Sequence, residues 1–264
     1  MHVISSPQNS LIKQVVLLLK KSRERKKSGL YVAEGIRELE VAARAGLKPF
    51  KWMTTPEYLG LPTLAILRNT WGEETCQLVS DLVFGKISYR EGVPNVVALF
   101  AMESQELEAL VLPEKPLLMI ADRIEKPGNL GAMLRTADAA GVDAVLITDP
   151  LADQYNPNVI RNSLGSFFTH RIVVCTAIDA LAYLKSKNIP IAVTWLEAAK
   201  PYFQVDFRKG AALVMGTEAT GVDAQWVDAA DHRIIIPMYG QVDSLNVSNA
   251  AAIVLFEAAK QIRS

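Results

Sequence analysis

Residues 127–141 read PGNLGAMLRTADAAG and stand between two apolar runs, LLMIAD (117–122) and VDAVLIT (142–148). The order is strand, glycine turn, helix, strand, and in α/β proteins that junction is the usual place for a nucleotide cofactor. The turn is nevertheless not built like a familiar phosphate cradle. Gly128 and Gly131 give G-x-x-G, not G-x-G-x-x-G, and no G-K-[ST] follows for a P-loop. Asn129 suits a helix N-cap and Gly141 a helix C-terminus. Arg135 lies among Ala, Met, Leu and Thr, either as a surface partner of Asp138 at i+3 or as one wall of a pocket.

Working outward, near-continuous aliphatic runs recur at RIVVC (171–175), IPIAVTW (189–195), AALVM (211–215) and HRIIIP (232–237), with helical stretches between them. Runs of that kind fit strands buried on both faces, so residues 117–264 are expected to form a parallel-sheet α/β domain. The stretch MESQELEALVLPEKP (102–116) is charged and contains two prolines, which marks a boundary. The expected organisation is a domain over 1–105, a linker over 106–116 and a second domain over 117–264.

The amino-terminal part opens at Ser6-Pro7, which reads as an N-cap followed by the first helical residue. Leu11, Ile12, Val15, Leu18 and Leu19 then recur at helical spacing. That helix runs into KKSRERKKSG (20–29), six cations against one acid. Lys20, Lys21, Arg23, Arg25, Lys26 and Lys27 are a solvated helix end suited to the negative end of the dipole, or a phosphate-contacting patch. GLYVAEGIRELEVAARAG (29–46) reads as a strand and a helix, and short strands and helices alternate from there to about residue 101.

Composition narrows the classes. Half of the 264 residues are apolar, 21% are charged and the formal net charge is zero, so any nucleic-acid contact must come from local basic patches. Two distant cysteines and three unclustered histidines argue against a disulfide scaffold and a metal site. No apolar run approaches the roughly 20 residues that span a bilayer, and MHVISSPQNS lacks a signal-peptide core. The expectation is a cytoplasmic protein without metal.

Two further loops share the grammar of the first. In LVMGTEATGVD (213–223) a buried strand meets G-x-E-x-x-G, which frees the backbone for close ligand contact and puts Glu218 at the carboxyl end of a strand. In IIIPMYGQVDSLNVSNAAAIVLFE (234–257) a strand leads through a glycine loop into Ser244, Asn246 and Ser248. A helix start needs only one of these as a cap. Each loop alone also fits an ordinary strand-to-helix turn; three in order after buried strands form a pattern.

That pattern resembles the three motifs of the SpoU (TrmH-like) family of RNA 2′-O-ribose methyltransferases, in the SPOUT class. N-x-G-x-x-x-R-T-A is matched by Asn129, Gly131, Arg135, Thr136 and Ala137. G-x-E-x-x-G is matched by Gly216, Glu218 and Gly221, and S-L-N-V-S by Ser244 through Ser248. The basic stretch and YVAEGIREL look like the ribosomal-protein-like α/β RNA-binding domain that many members carry.

The resemblance implies a carboxy-terminal trefoil knot, in which the last segment passes through a preceding loop. It implies S-adenosylmethionine held by Gly216, Ile236 and Leu245 with Thr194 nearby, and a homodimer through the carboxy-terminal domain. The catalytic set it carries over is Asn129, Arg135, Glu218, Ser244 and Asn246. The implied reaction is 2′-O-ribose methylation of a structured RNA, with ribosomal RNA favoured over transfer RNA. Family mechanisms ask the arginine to activate the ribose hydroxyl, with a substrate phosphate assisting. An arginine is effectively always protonated in proteins, so clamping the phosphate beside that ribose suits it better than acting as a base. The rival readings are a non-catalytic RNA-binding assembly factor, a base-methylating SPOUT enzyme and a dinucleotide-dependent enzyme. The intact catalytic set opposes the first, S-L-N-V-S the second, and the absent glycine fingerprint the third.

Overall fold

The computed structural model describes residues 2–88, 96–195, 197, 199–217 and 221–264, and they fall into two compact units. One unit holds the chain up to Glu103 together with Asp153–Thr169, and the other holds Ser104–Ala152 and His170–Ser264.

The first unit contains strands β1 (Val3–Ile4), β2 (Leu30–Glu34), β3 (Lys51–Thr54), β4 (Cys76–Val79) and β5 (Val97–Ala101). They form a mixed sheet of order β1-β4-β3-β5-β2. Between them in the chain lie α1 (Ser10–Lys20), α2 (Ser22–Ser28), α3 (Ile36–Arg44), α4 (Pro56–Leu59), α5 (Ala65–Trp71) and α6 (Asp81–Ile87). Ile12, Val15 and Leu18 of α1 are buried in one apolar cluster with Val32, Met53, Val79 and Val97.

Ser6-Pro7 does not open the first helix. The Ser6 hydroxyl accepts from the Gln8 N–H at 3.2 Å and closes a turn, while Asn9 caps α1 by accepting from the Leu11 N–H at 2.9 Å. Serine and asparagine are comparable caps, so the sequence offers two starts three residues apart. The basic stretch is also divided: Lys21 is extended, with φ −125° and ψ 113°, between the end of α1 and the start of α2.

The second unit begins with β6 (Leu117–Asp122), α7 (Pro127–Ala140) and β7 (Ala144–Thr148). The chain then runs through α8 (Pro157–Asn162), which belongs to the first unit, before β8 (Ile172–Cys175). It continues with α9 (Ala177–Ser186), β9 (Ile191–Thr194), β10 (Lys200–Pro201), β11 (Ala211–Met215), α10 (Ala224–Ala229), β12 (His232–Ile235) and α11 (Val247–Arg263). The sheet is parallel throughout, in the order β10-β12-β9-β11-β6-β7-β8.

Every apolar run read as a strand is one. β6, β7 and β11 are buried along their whole length, as a central parallel sheet demands. β8 is an edge strand, and there Val174 is 42% exposed. The two-residue β10 leaves no mark in the sequence, because a Lys-Pro pair carries no β pattern.

The observed units are not continuous in sequence, unlike the expected division at 106–116. Asp153–Thr169 lies inside the stretch assigned to the second domain but packs in the first unit. Its aromatic residues explain this. The Tyr155 ring lies 4.8 Å from that of Tyr31, and the Phe168 ring 5.8 Å from that of Phe100. The Tyr155 hydroxyl donates to the Glu103 carbonyl at 2.5 Å. Asp153 binds the Arg25 guanidinium at 2.6 Å.

Candidate active site

A cavity of about 480 Å³ opens at the carboxyl ends of β9, β11 and β12, three neighbours in the sheet. From β9 the chain goes to β11 on one side and to β12 on the other, so the cavity sits at a topological switch point. Open parallel sheets bind ligands there because the diverging loops leave a crevice. Its walls come from all three loops: Thr194 ends β9, Gly216 follows β11, and Ile236, Ser244 and Leu245 follow β12. Met215 and Ile234 make it partly apolar, while Glu197 and Asp243 bring carboxylates.

The loop after β11 is pinned by its own backbone. Thr217 N–H donates to the Gly221 carbonyl at 2.9 Å, and Gly221 N–H returns the bond to Thr217 at 3.1 Å. Gly221 has φ +68°, and a Cβ on Gly216 would lie 2.2 Å from the Gly221 oxygen. No side chain fits at Gly216, and Gly221 takes a left-handed conformation that L side chains rarely adopt; these are the physical content of the two glycines in G-x-E-x-x-G. Glu218 itself lies outside the described residues.

The first and third motifs meet through side chains. Asn246 is the N-cap of α11, and its Oδ1 accepts from the Ser248 N–H at 3.0 Å and from the Ser248 hydroxyl at 2.6 Å. Its Nδ2 donates to Asn129 Oδ1 at 3.1 Å. Asn129 is not the cap of α7: Pro127 begins that helix after Lys126, so Asn129 falls inside the first turn. Proline favours the first helical position and fixes the start ahead of the asparagine, leaving the amide for Asn246.

At the far end Arg263 donates to the Gly141 carbonyl at 3.0 Å. Helices α7 and α11 therefore run side by side in the same direction, with both amino-termini at the site. Their partial positive ends converge where an anion would be favoured.

Arg135 is on the exposed face of α7 and makes no hydrogen bond or ion pair among the described residues. Neither Arg135 nor the Asn129–Asn246 pair lines the cavity, whereas Ser244 does. The sequence-predicted residues thus divide: Thr194, Gly216, Ile236, Leu245 and Ser244 border one cavity, and Asn129 and Asn246 join two helix ends. The two cavity carboxylates and the contribution of Ser248 escape a reading of the sequence. Aspartate and glutamate in polar loops look like ordinary solvated residues, and Ser248 looks like one letter of a motif.

In the first unit, Lys20, Lys21, Arg23, Lys26 and Lys27 are exposed. Arg25 requires a correction. It is 2% exposed, its Nε donates to Asp153 at 2.8 Å, and another of its nitrogens donates to the Leu18 carbonyl. A guanidinium enclosed in that way is unavailable to a phosphate.

Among the described residues no group of His, Cys, Asp and Glu is arranged to hold a metal, and no helix is long and apolar enough to cross a membrane. Cys76 and Cys175 are free thiols, each pushed up to about 12 mainly by burial, so neither is a ready nucleophile.

Known proteins share this arrangement. Residues 116–256 match the SpoU rRNA Methylase family, and residues 9–98 match an MRM3-like substrate binding domain. The 23S rRNA (guanosine(2553)-2′-O)-methyltransferase RlmP of Bacillus subtilis is 32% identical over 97% of this chain and 98% of its own length. The tRNA (guanosine(18)-2′-O)-methyltransferase of Escherichia coli is 36% identical over 58% of this chain and 67% of its own. The crystal structure of an AdoMet-bound rRNA methyltransferase from Sinorhizobium meliloti superposes with a TM-score of 0.89 at 26% identity, covering 100% of this chain and 99% of that one. With motifs, sheet order and full-length relatives in agreement, the chain belongs to the SpoU rRNA methylase family.

Proposed function

We propose that the protein transfers a methyl group from S-adenosylmethionine to a ribose 2′-hydroxyl of ribosomal RNA. The observation that carries this reading is the joining of the three motifs: the second and third border one cavity at a switch point, and the third is tied to the first by the Asn246–Asn129 hydrogen bond. A relative that matches along nearly its whole length is named for 23S rRNA, whereas the transfer-RNA enzyme matches over 58% of the chain. The amino-terminal stretch to about residue 105 then serves the RNA and residues 117–264 the chemistry.

The cavity suits the cofactor. Its size is within the usual range for small-molecule sites, and the glycine-enforced approach at Gly216 leaves backbone groups at the wall. Thr194, Gly216, Ile236 and Leu245 would hold the cofactor. When bound, S-adenosylmethionine supplies an electrophilic methyl on a sulfonium, a leaving group that needs little help. The poor nucleophile is the ribose hydroxyl, and placing it falls to this chain. Arg135 clamps the adjacent phosphate by two parallel N–H donors. Asn129, Ser244 and Asn246 fix the sugar, and Glu218 is the acidic member of the set.

β11 is inserted between β6 and β9, strands laid down earlier in the chain; this order suits a carboxy-terminal segment threaded through a preceding loop as a trefoil knot. Tyr239, Val242 and Phe256 are 93%, 64% and 51% exposed, large side chains that a homodimer through this unit would cover. The setting proposed is the cytoplasm.

The decisive experiment maps ribose methylation in total RNA from cells with and without the gene. Disappearance of one ribosomal methylation is expected. An unchanged map overturns the proposal, and a change confined to a transfer RNA moves the substrate.

Two variants probe the parts separately. Gly216→Ala must displace the Gly221 carbonyl, and overpacking of that kind costs about 1–3 kcal/mol. Affinity for S-adenosylmethionine should fall roughly tenfold to a hundredfold by calorimetry, and unaltered affinity would remove Gly216 from the cofactor wall. Changing Lys20, Lys21, Arg23, Lys26 or Lys27 to Gln should lower RNA affinity and reduce its log–log salt slope by about one unit for each phosphate no longer neutralised. A slope indifferent to all five would return that surface to simple solvation.

A further inference from the structure

We propose that Asp122 is a positioning residue: its buried carboxylate ties the G-x-E-x-x-G loop to the end of β6 and so holds that wall of the cavity in place for S-adenosylmethionine. The inference rests on the methyl-transfer reading of this site.

Both ends of the loop after β11 return to neighbouring residues of one strand. At the upstream end Met215 stands beside Ala121 in the parallel pairing of β11 with β6. At the downstream end the Asp223 N–H donates to Asp122 Oδ2 at 3.2 Å. Between these anchors lie Gly216, Thr217 and Gly221, all of which border the cavity. The Thr217–Gly221 hydrogen bonds close the loop on itself without fixing it to the sheet. Asp122 supplies that attachment.

The two carboxylate oxygens serve different neighbours. Oδ1 accepts from the Thr148 hydroxyl at 2.9 Å and from Trp226 Nε1 at 3.1 Å, both within the core. Oδ2 serves the loop, and Arg123 braces that side. Its guanidinium lies 3.6 Å from Asp122 Oδ2 and 3.1 Å from Asp223 Oδ2. Arg123 has φ +51°, a left-handed backbone in which a non-glycine residue is strained, and its N–H donates to the Thr148 carbonyl at 2.9 Å. The rest of β6 is LLMIA, buried throughout, so packing alone would ask for another aliphatic residue at position 122. A carboxylate with no exposure is tolerated only when donors and a cation meet it. Here those partners include the one backbone N–H that holds the loop.

The test sets Asp122→Asn against Thr148→Val. Asparagine has one acceptor oxygen where aspartate has two. Trp226 is fully buried and its N–H can only donate, so the oxygen stays with Trp226 and the NH₂ stands against the Asp223 N–H. Asp122→Asn should therefore weaken S-adenosylmethionine binding roughly tenfold by calorimetry, the loss of one charge-assisted hydrogen bond. Hydrogen exchange in the free protein should quicken at the Gly221 and Asp223 amides more than at those of β6 and β7. Thr148→Val, which leaves Oδ2 alone, should lower the melting temperature and keep the affinity of the parent. Unchanged affinity or unchanged exchange in Asp122→Asn, or an equal loss of affinity in Thr148→Val, overturns the proposal. If Asp122→Asn does not fold, Arg123→Gln removes only the outer brace. The same two amides should then exchange faster and affinity should fall about twofold to fivefold; parental values for either overturn the proposal. If the wild-type protein binds no S-adenosylmethionine, the methyl-transfer reading fails, and amide exchange still decides whether Asp122 holds the loop.

Discussion

Replacing Arg25 with alanine lowers the stability of the first unit by about 3–5 kcal/mol and leaves intrinsic phosphate binding untouched. The figure is that for breaking one partner out of a buried ion pair, because the survivor remains buried without compensation. Here the survivor is Asp153, whose side chain is 12% exposed and which approaches Arg25 at 2.6 Å. The Leu18 carbonyl loses its donor in the same step. Hydrogen exchange at the amides of β2 and β5, followed in increasing urea, reads the change in the unit concerned.

A double substitution separates this from a general intolerance. Arg25→Met combined with Asp153→Leu removes both charges and restores apolar volume, and such replacements of buried pairs are often neutral or better. Recovery of most of the stability is expected. If instead Arg25→Ala unfolds like the parent and weakens RNA binding as much as Lys26→Ala, Arg25 belongs with the phosphate-binding cations.

Arg25 also shows where reading a sequence stops. Its neighbours Lys20, Lys21, Arg23, Lys26 and Lys27 are exposed, and nothing local sets it apart from them. Its partner is 128 residues away, in a segment whose Asp153, Tyr155, Phe167 and Phe168 pack in the first unit. A pairing at such separation leaves no periodic trace. The parallel sheet is legible for the opposite reason: β6, β7 and β11 are buried on both faces, and burial on both faces writes uninterrupted aliphatic runs.

The site is legible in part. Gly216 declares a close backbone approach and Gly221 a left-handed turn, each of which favours glycine. Helix starts are less certain. Asn129 has the composition of a cap, yet Pro127 sets the helix start and leaves Asn129 to bind Asn246. Which side chains a cap residue will hold is decided by the neighbouring helix, and the spacing of α7 against α11 is a tertiary fact.

Arg135→Lys should reduce kcat about a hundredfold while leaving RNA and S-adenosylmethionine binding close to wild type. Arg135 projects from the exposed face of α7, about two turns along the helix whose amino-terminus is tied to that of α11 through Asn129 and Asn246. A lysine there keeps the charge and loses the planar fork, so a phosphate could be attracted but no longer held in two dimensions. Positioning errors of about 1 Å cost on the order of 10²-fold in rate. The change in binding is small by comparison, since one phosphate is only one of many that the protein neutralises. Arg135→Ala should lower kcat further and reduce the salt slope by about one unit. The two quantities must therefore part: single-turnover methylation reports the clamp, and a binding isotherm across salt reports the charge. Near-wild-type turnover in Arg135→Lys with RNA binding intact would refute a bidentate clamp and leave Arg135 as a point charge. A general base at Arg135 makes a different prediction, because lysine can release a proton where arginine does not. Under that mechanism Arg135→Lys gains activity as pH rises towards the lysine range, whereas a clamp leaves the pH profile of the variant parallel to that of the parent.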